Sequence, residues 1–220
     1  MLLCTLGFVG GFACMRMTGM GTLGKRWLDV EHAFVTCICT LFNIYCFCSE
    51  FDWRIILAQQ PPSLLLLLQT SVMLAYYIVF GAIEIVSDKI NILMLVHHVL
   101  AGSTILYAHT VNVHQCTCAF LMMFTLSNPP LAIAKVYHRA GSDSAARVAF
   151  GIFAITFFLC RICLIPCLIW VVMTRGWDIA ILKGEYTTYW CISTMLLGLY
   201  VMQLAWFPSI VKICVRKVLN

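Results

Sequence analysis

The chain predicts an all-α fold, a multi-pass bundle of membrane-spanning helices with six core spans and a seventh at the N-terminus. Three observations carry this. Of 220 residues, 62% are hydrophobic and 10% are charged. The mean hydropathy is +0.95. Roughly a quarter of a soluble domain is charged, so 14 basic and 9 acidic residues cannot cover a water-facing surface of this size. Finally, apolar runs of the roughly 20 residues needed to cross a bilayer follow one another along the chain.

The first run, residues 1–22, is interrupted by Arg16. No basic residue precedes its apolar core and no small-residue cleavage site follows, so it reads as a first span and not as a cleaved signal. It sets off residues 1–24 from a single domain over 25–217. Core spans are predicted over 33–48, 63–86, 90–108, 114–137, 148–173 and 187–211. No soluble domain, low-complexity segment or internal repeat is recognisable.

Seven spans can be oriented by the excess of Lys and Arg on the cytosolic side. With the N-terminus outside, the inner segments hold Lys25, Arg26, Lys89, Lys135, Arg139, Arg147, Lys212, Arg216 and Lys217. The outer loops hold Arg54, Arg175 and Lys183. The C-terminus is therefore expected in the cytosol. The positive charge has this topological reading and does not argue for nucleic acid. Most of the 13 cysteines fall inside apolar runs, where Cys behaves as a small apolar residue. Cys160 and Cys163 form a C-x-x-C pair, but within a span such a pair is expected to be inert.

The third core span carries His97 and His98 in "NILMLVHHVLAG". At 100° per residue the two rings diverge. Asn91, Gly102, Ile105 and His109 share the His98 stripe; Ile90, Met94, Ala101, Thr104 and Ala108 share that of His97. Polar groups facing lipid are costly, so this side is expected to face the bundle interior or a cavity. At 1.5 Å per residue His97 lies about 14 Å from the inner end near Asp88, and Arg161 about 20 Å from Arg147. The two are expected to approach each other. Glu84 is about 15 Å shallower than Arg161, which argues against a direct pair.

The fourth core span contains Pro129 and Pro130. They lack amide hydrogens, so they free carbonyls near Thr125 and Leu126 and bend or break the helix. Broken helices at membrane depth line protein or water and often border substrate sites. Ser127 and Asn128 stand beside the break. Each of these features alone has a packing explanation. Their shared depth predicts an interior site, with His97 and His98 as the reactive or recognising rings and Asn91, Ser127, Asn128 and Arg161 as ligand-binding groups. No metal or cofactor is expected: adjacent histidines diverge, whereas zinc pairs on a helix use i, i+4 spacing. No G-x-S-x-G, Walker loop or G-x-G-x-x-G is present.

In order along the chain, "KRWLDVEHAFVT", "SDKINILMLVHHVLAG", "LSNPPLAIAKVY", "FFLCRICLIPCLIW" and "LYVMQLAWFPSIVKICVRKV" resemble the TLC domain. That multi-span domain is shared by ceramide synthases, the translocating-chain-associated membrane protein and several TLC-domain lipid-homeostasis proteins. The resemblance covers about residues 25–217. Thr125, Ala132 and Ala134 stand where many relatives carry an acidic residue, an Asn and an Arg. "YAHTVNVHQCTC" lacks the carboxylates that ceramide synthases carry after the His-His span. The chain thus looks closer to the non-synthase members.

The resemblance implies a membrane protein of lipid homeostasis, in an endoplasmic-reticulum membrane, with two readings of the interior site. In the first it binds a long-chain lipid (sphingoid, acyl chain or phospholipid), without catalysis or in a regulatory role, as a homodimer or beside a partner enzyme. In the second it is an acyltransferase with acyl-CoA as co-substrate. His97 or His98 is then the general base and Arg161 orients a head group. A transporter has less support, since no inverted repeat is visible.

Overall fold

The computed structural model describes residues 21–52, 54, 56, 61–85, 91–184 and 186–219. These residues form helices joined by short connections, with no strand among them. The helices are α1 Gly21–Glu50, α2 Leu64–Ile85, α3 Ile92–Thr110, α4 His114–Thr125, α5 Asn128–Arg139, α6 Asp143–Phe157, α7 Ile165–Lys183 and α8 Tyr186–Leu219, with a π-helical stretch Phe158–Leu164 between α6 and α7. Six helical segments are long and apolar enough to cross a membrane: Asp29–Glu50, Leu64–Ala82, Ile92–Thr110, His114–Arg139, Asp143–Leu182 and Tyr186–Arg216. They match the six predicted core spans in order. The expected span over 1–22 lies outside the described residues up to Gly21, where α1 begins. Asp88 and Lys89, between α2 and α3, also lie outside them.

The bundle turns its apolar side outward. On α1, Val30, Phe34, Ile38, Leu41 and Tyr45 recur at helical spacing and are exposed, Phe34 at 66%. On the opposite side Thr36, Thr40 and Asn43 are buried, Asn43 at 0%. In water this arrangement would be inverted. In lipid it follows, because polar groups must find partners inside the protein. Asn43 does so: its amide nitrogen donates to Thr125 Oγ1 at 3.2 Å and to Met73 Sδ at 3.3 Å. Its oxygen accepts from Gln69 Nε2 at 3.0 Å. These bonds tie α1 to α2 and α4. Interhelical hydrogen bonds in membranes contribute modestly, so Asn43→Leu is expected to lower stability by about 1–2 kcal/mol, read from thermal melting in detergent.

α4 is the central helix: nearly all of it is buried, including His114, Cys116, Cys118, Phe120 and Phe124. The helix breaks at Leu126 and Ser127, and Pro129 and Pro130 enter the first turn of α5. Proline suits that position because its missing N–H has no helical partner there. The carbonyl of Thr125, whose helical donor would be Pro129, accepts instead from Thr40 Oγ1 at 3.1 Å. Beyond the break α5 buries only Ala132 and Ala134 along its length and packs against α1 and α6 at the periphery. The proline break thus moves the second half of this span off the bundle axis.

The fifth span differs from its expected extent of 148–173. It is helical over 40 residues, Asp143–Leu182, and contains the π-helical stretch, which the sequence did not predict. An i→i+5 turn shifts the phase of the side chains that follow it. Within the stretch Cys160 and Arg161 turn inward, while Phe158, Leu159 and Leu164 face outward. Cys160 is buried and Cys163 exposed, so this C-x-x-C pair shares no environment. α7 ends at Gly184, whose φ of 70° is a left-handed cap that glycine adopts without strain.

Candidate functional site

A cavity of about 500 Å³ opens where the central helix leaves the axis. This lies within the roughly 300–1,000 Å³ of small-molecule sites. Its walls come from α1, α2, α3, α5, α6, α8, the end of α4 and the π-helical turn. His97, His98, Tyr77 and Arg161 line its depth, and Asp29, Glu84 and Lys135 line the end with the basic connections. The remaining wall is largely aromatic and aliphatic, with Phe150, Phe153, Phe157 and Trp206 prominent. A separate apolar void of about 30 Å³ beside Ile105 and Phe120 has room for about one water.

The histidines are held by close packing of α2 on α3. A side chain on Gly81 would meet His98 Cβ at 3.5 Å, and one on Gly102 would meet Tyr77 Cβ at 3.7 Å. His97 is 7% exposed. Its ring stands edge-on to Trp206 at 5.1 Å and to Tyr77 at 6.0 Å. His98 is half-buried, 5.7 Å from both the Tyr77 and the His97 rings. Nδ1 of each histidine is enclosed without a hydrogen-bond partner. Among the described residues neither ring has a carboxylate bonded to its Nδ1, as a His–Asp pair would.

Arg161 enters from the π-helical turn and is 6% exposed. One terminal nitrogen donates to Gln203 Oε1 at 3.0 Å. The other donates to the Phe124 carbonyl and to Asn128 Oδ1. The guanidinium carbon lies 5.4 Å from the Phe124 ring centroid and 5.1 Å from that of Phe157. Arg161 therefore ties the broken end of α4 and the start of α5 to α8. Asp29, in the same wall, pairs with Arg139 at 2.6 Å. Glu84 Oε1 accepts the Asn91 backbone N–H at 2.7 Å.

The expected site residues separate accordingly. His97, His98, Asn128 and Arg161 share the cavity. Asn91 is exposed and caps α3, its side chain accepting from Met94 N at 3.2 Å. Ser127 is fully buried at the break and does not line the cavity; its hydroxyl has no partner. Glu84 and Arg161 both line the cavity wall. Tyr77, Trp206, Lys135 and His32 also line the site. In the sequence they do not stand out as site residues: aromatic residues are ordinary in spans, and a lysine near a span end reads as topology. His32, whose Nε2 lies 3.4 Å from the Tyr76 hydroxyl, had a signal in "KRWLDVEHAFVT". Among the described residues no three of His, Cys, Asp and Glu converge as metal ligands would.

The model of the TLC domain family matches residues 29–212. This chain belongs to the TLC-domain family. The matched segment takes in the first five spans, the sixth up to Lys212, and every residue lining the cavity except Ile213. Among curated relatives, ceramide synthase 5 of Mus musculus is 24% identical over 144 residues, 63% of this chain and 34% of the relative. ASC1-like protein 3 of Oryza sativa subsp. japonica is 27% identical over 132 residues, 58% of this chain and 46% of the relative. Alternaria stem canker resistance protein 1 of Solanum lycopersicum is 25% identical over 133 residues, 57% of this chain and 42% of the relative. The alignments thus span less than half the length of each relative. The TLC-domain core of this multi-pass membrane protein is what they share.

Proposed function

We propose that this TLC-domain protein binds one long-chain lipid in the interior cavity, in lipid homeostasis and without chemistry of its own. The observation that carries the reading is the two-sided wall. His97, His98, Tyr77, Asn128 and Arg161 offer polar groups at depth, and Phe150, Phe153, Phe157 and Trp206 offer a chain-sized apolar surface. At about 500 Å³ the cavity is in the range of small-molecule sites and has room for a long acyl chain. The end of the cavity wall carrying Asp29 and Lys135, beside Arg139, is the one that the positive-inside rule puts in the cytosol. A protease-accessible C-terminal tag in sealed endoplasmic-reticulum vesicles is the expected topology result.

Ala132 is 3% exposed and lines the cavity on α5. Ala132→Phe is expected to fill the space and remove the bound chain while sparing the histidines and Arg161. Overpacking should cost no more than about 1–3 kcal/mol. Mass spectrometry of lipid retained after purification in mild detergent checks this. Equal lipid in the variant and the parent protein would rule the cavity out as the binding place.

A second reading, acyl transfer, is favoured by one observation: relatives that carry the name ceramide synthase match this core. An imidazole at 97 or 98 would take the proton of an acceptor amine or hydroxyl as it attacks the carbonyl carbon of an acyl-CoA thioester; the C–S bond would break and the imidazolium would return the proton to the departing CoA thiolate. Acylated product from the purified protein, acyl-CoA and a long-chain amine supports this reading, and no product supports simple binding.

A further inference from the structure

Arg161 is a buried cation of the cavity wall, and among the described residues no carboxylate pairs with it. Its acceptors are a carboxamide oxygen of Gln203, one of Asn128 and the Phe124 carbonyl, all neutral. Two phenyl faces flank it. Its Nε is enclosed and donates to nothing. The carboxylates lining the cavity are elsewhere committed: Asp29 pairs with Arg139, and Glu84 accepts the Asn91 amide at the start of α3. The other cation of the wall, Lys135, adds positive charge. Neutral acceptors and ring faces soften the cost of burying a guanidinium but leave its charge uncompensated. Where solvent is excluded, such a charge attracts an anion strongly, and guanidinium is suited by geometry to carboxylate and phosphate.

We infer that the chain bound in this cavity carries an anionic head group, a carboxylate or a phosphate, that pairs with Arg161. The inference rests on the lipid-binding reading above and specifies its ligand. It orders the single-chain amphiphiles: anionic heads bind best, neutral heads less well, and cationic amines least, because Arg161 and Lys135 repel them.

The test uses the full chain in mild detergent and four labelled probes of one chain length: palmitate, hexadecyl phosphate, hexadecanol and hexadecylamine. At least one anion is expected to bind tenfold or more tighter than hexadecanol, with hexadecylamine weakest. Preference between palmitate and the phosphate identifies the head group. Arg161→Gln is expected to bring anion and alcohol to equal affinity, and Arg161→Lys to keep most of the preference. Hexadecanol binding as tightly as both anions would overturn the anionic assignment and leave lipid binding standing. Retained anion preference in Arg161→Gln would also overturn it. If Arg161→Gln does not fold, the parent protein and Arg161→Lys decide on the same criterion. Binding of none of the four probes would remove the lipid-binding reading itself, and the inference with it.

Discussion

Replacing His97 and His98 together by alanine is expected to weaken binding of the cavity chain about thirtyfold. Two hydrogen bonds to the head group, at about 1 kcal/mol each, account for that factor. Both rings face the cavity and both leave Nδ1 without a partner in the fold. The variant therefore strands no described polar atom bonded to these nitrogens, and the protein should stay folded. Edge contacts with Trp206 and Tyr77 are lost, so a His97→Gln/His98→Gln variant serves as the control for packing. Equilibrium binding of a labelled chain measures the effect. Unchanged affinity in the alanine variant would place the head group elsewhere. If the protein transfers acyl groups, the same variant should lose roughly 10²–10⁴-fold in turnover, the usual contribution of a general base.

Arg161→Met is expected to have the largest effect on stability, a loss of about 2–4 kcal/mol. Removing the guanidinium relieves its own desolvation, which offsets part of the cost. It also strands the Phe124 carbonyl, Asn128 Oδ1 and Gln203 Oε1, and each buried acceptor left unpaired costs about 1–3 kcal/mol. The two carboxamides can rotate toward other partners. The carbonyl at the end of α4 cannot, so the helix break itself should loosen. Arg161→Lys reaches fewer acceptors at once and should fall between parent and Met variant. Thermal melting in detergent orders the three proteins. A Met variant melting with the parent would show that the break is held by the prolines and Thr40 alone.

Much of the architecture was legible because hydrocarbon is a severe solvent. Length and apolarity decide whether a segment crosses, so the six core spans could be read in order. Their ends were less legible. The predicted 33–48 reaches back to Asp29, and 148–173 extends to Asp143 and Leu182. Helices continue past the apolar core into the polar boundary, where composition no longer marks them. The break in the fourth core span was legible from proline chemistry, and the freed Thr125 carbonyl has a partner in Thr40. The π-helical turn was not. "FLCRICL" contains no breaker, and the turn coincides with Arg161 reaching partners on α4, α5 and α8. Polar residue type and depth also overcounted the site. Asn91 faces out and Ser127 is walled in, because orientation around the helix, not depth, decides what a cavity sees.

By itself the sequence determined that this chain spans a membrane as a helical bundle, with two histidines, an arginine and a broken helix at one level. Backbone groups in lipid must bond internally, and the few polar side chains must turn inward. Only the tertiary structure decided that the break vacates the bundle axis and opens a cavity. It also brought Tyr77 and Trp206 against His97, and left Arg161 among neutral acceptors. These contacts join residues far apart in the chain, and their geometry is set by how whole helices pack, which no local run of residues encodes.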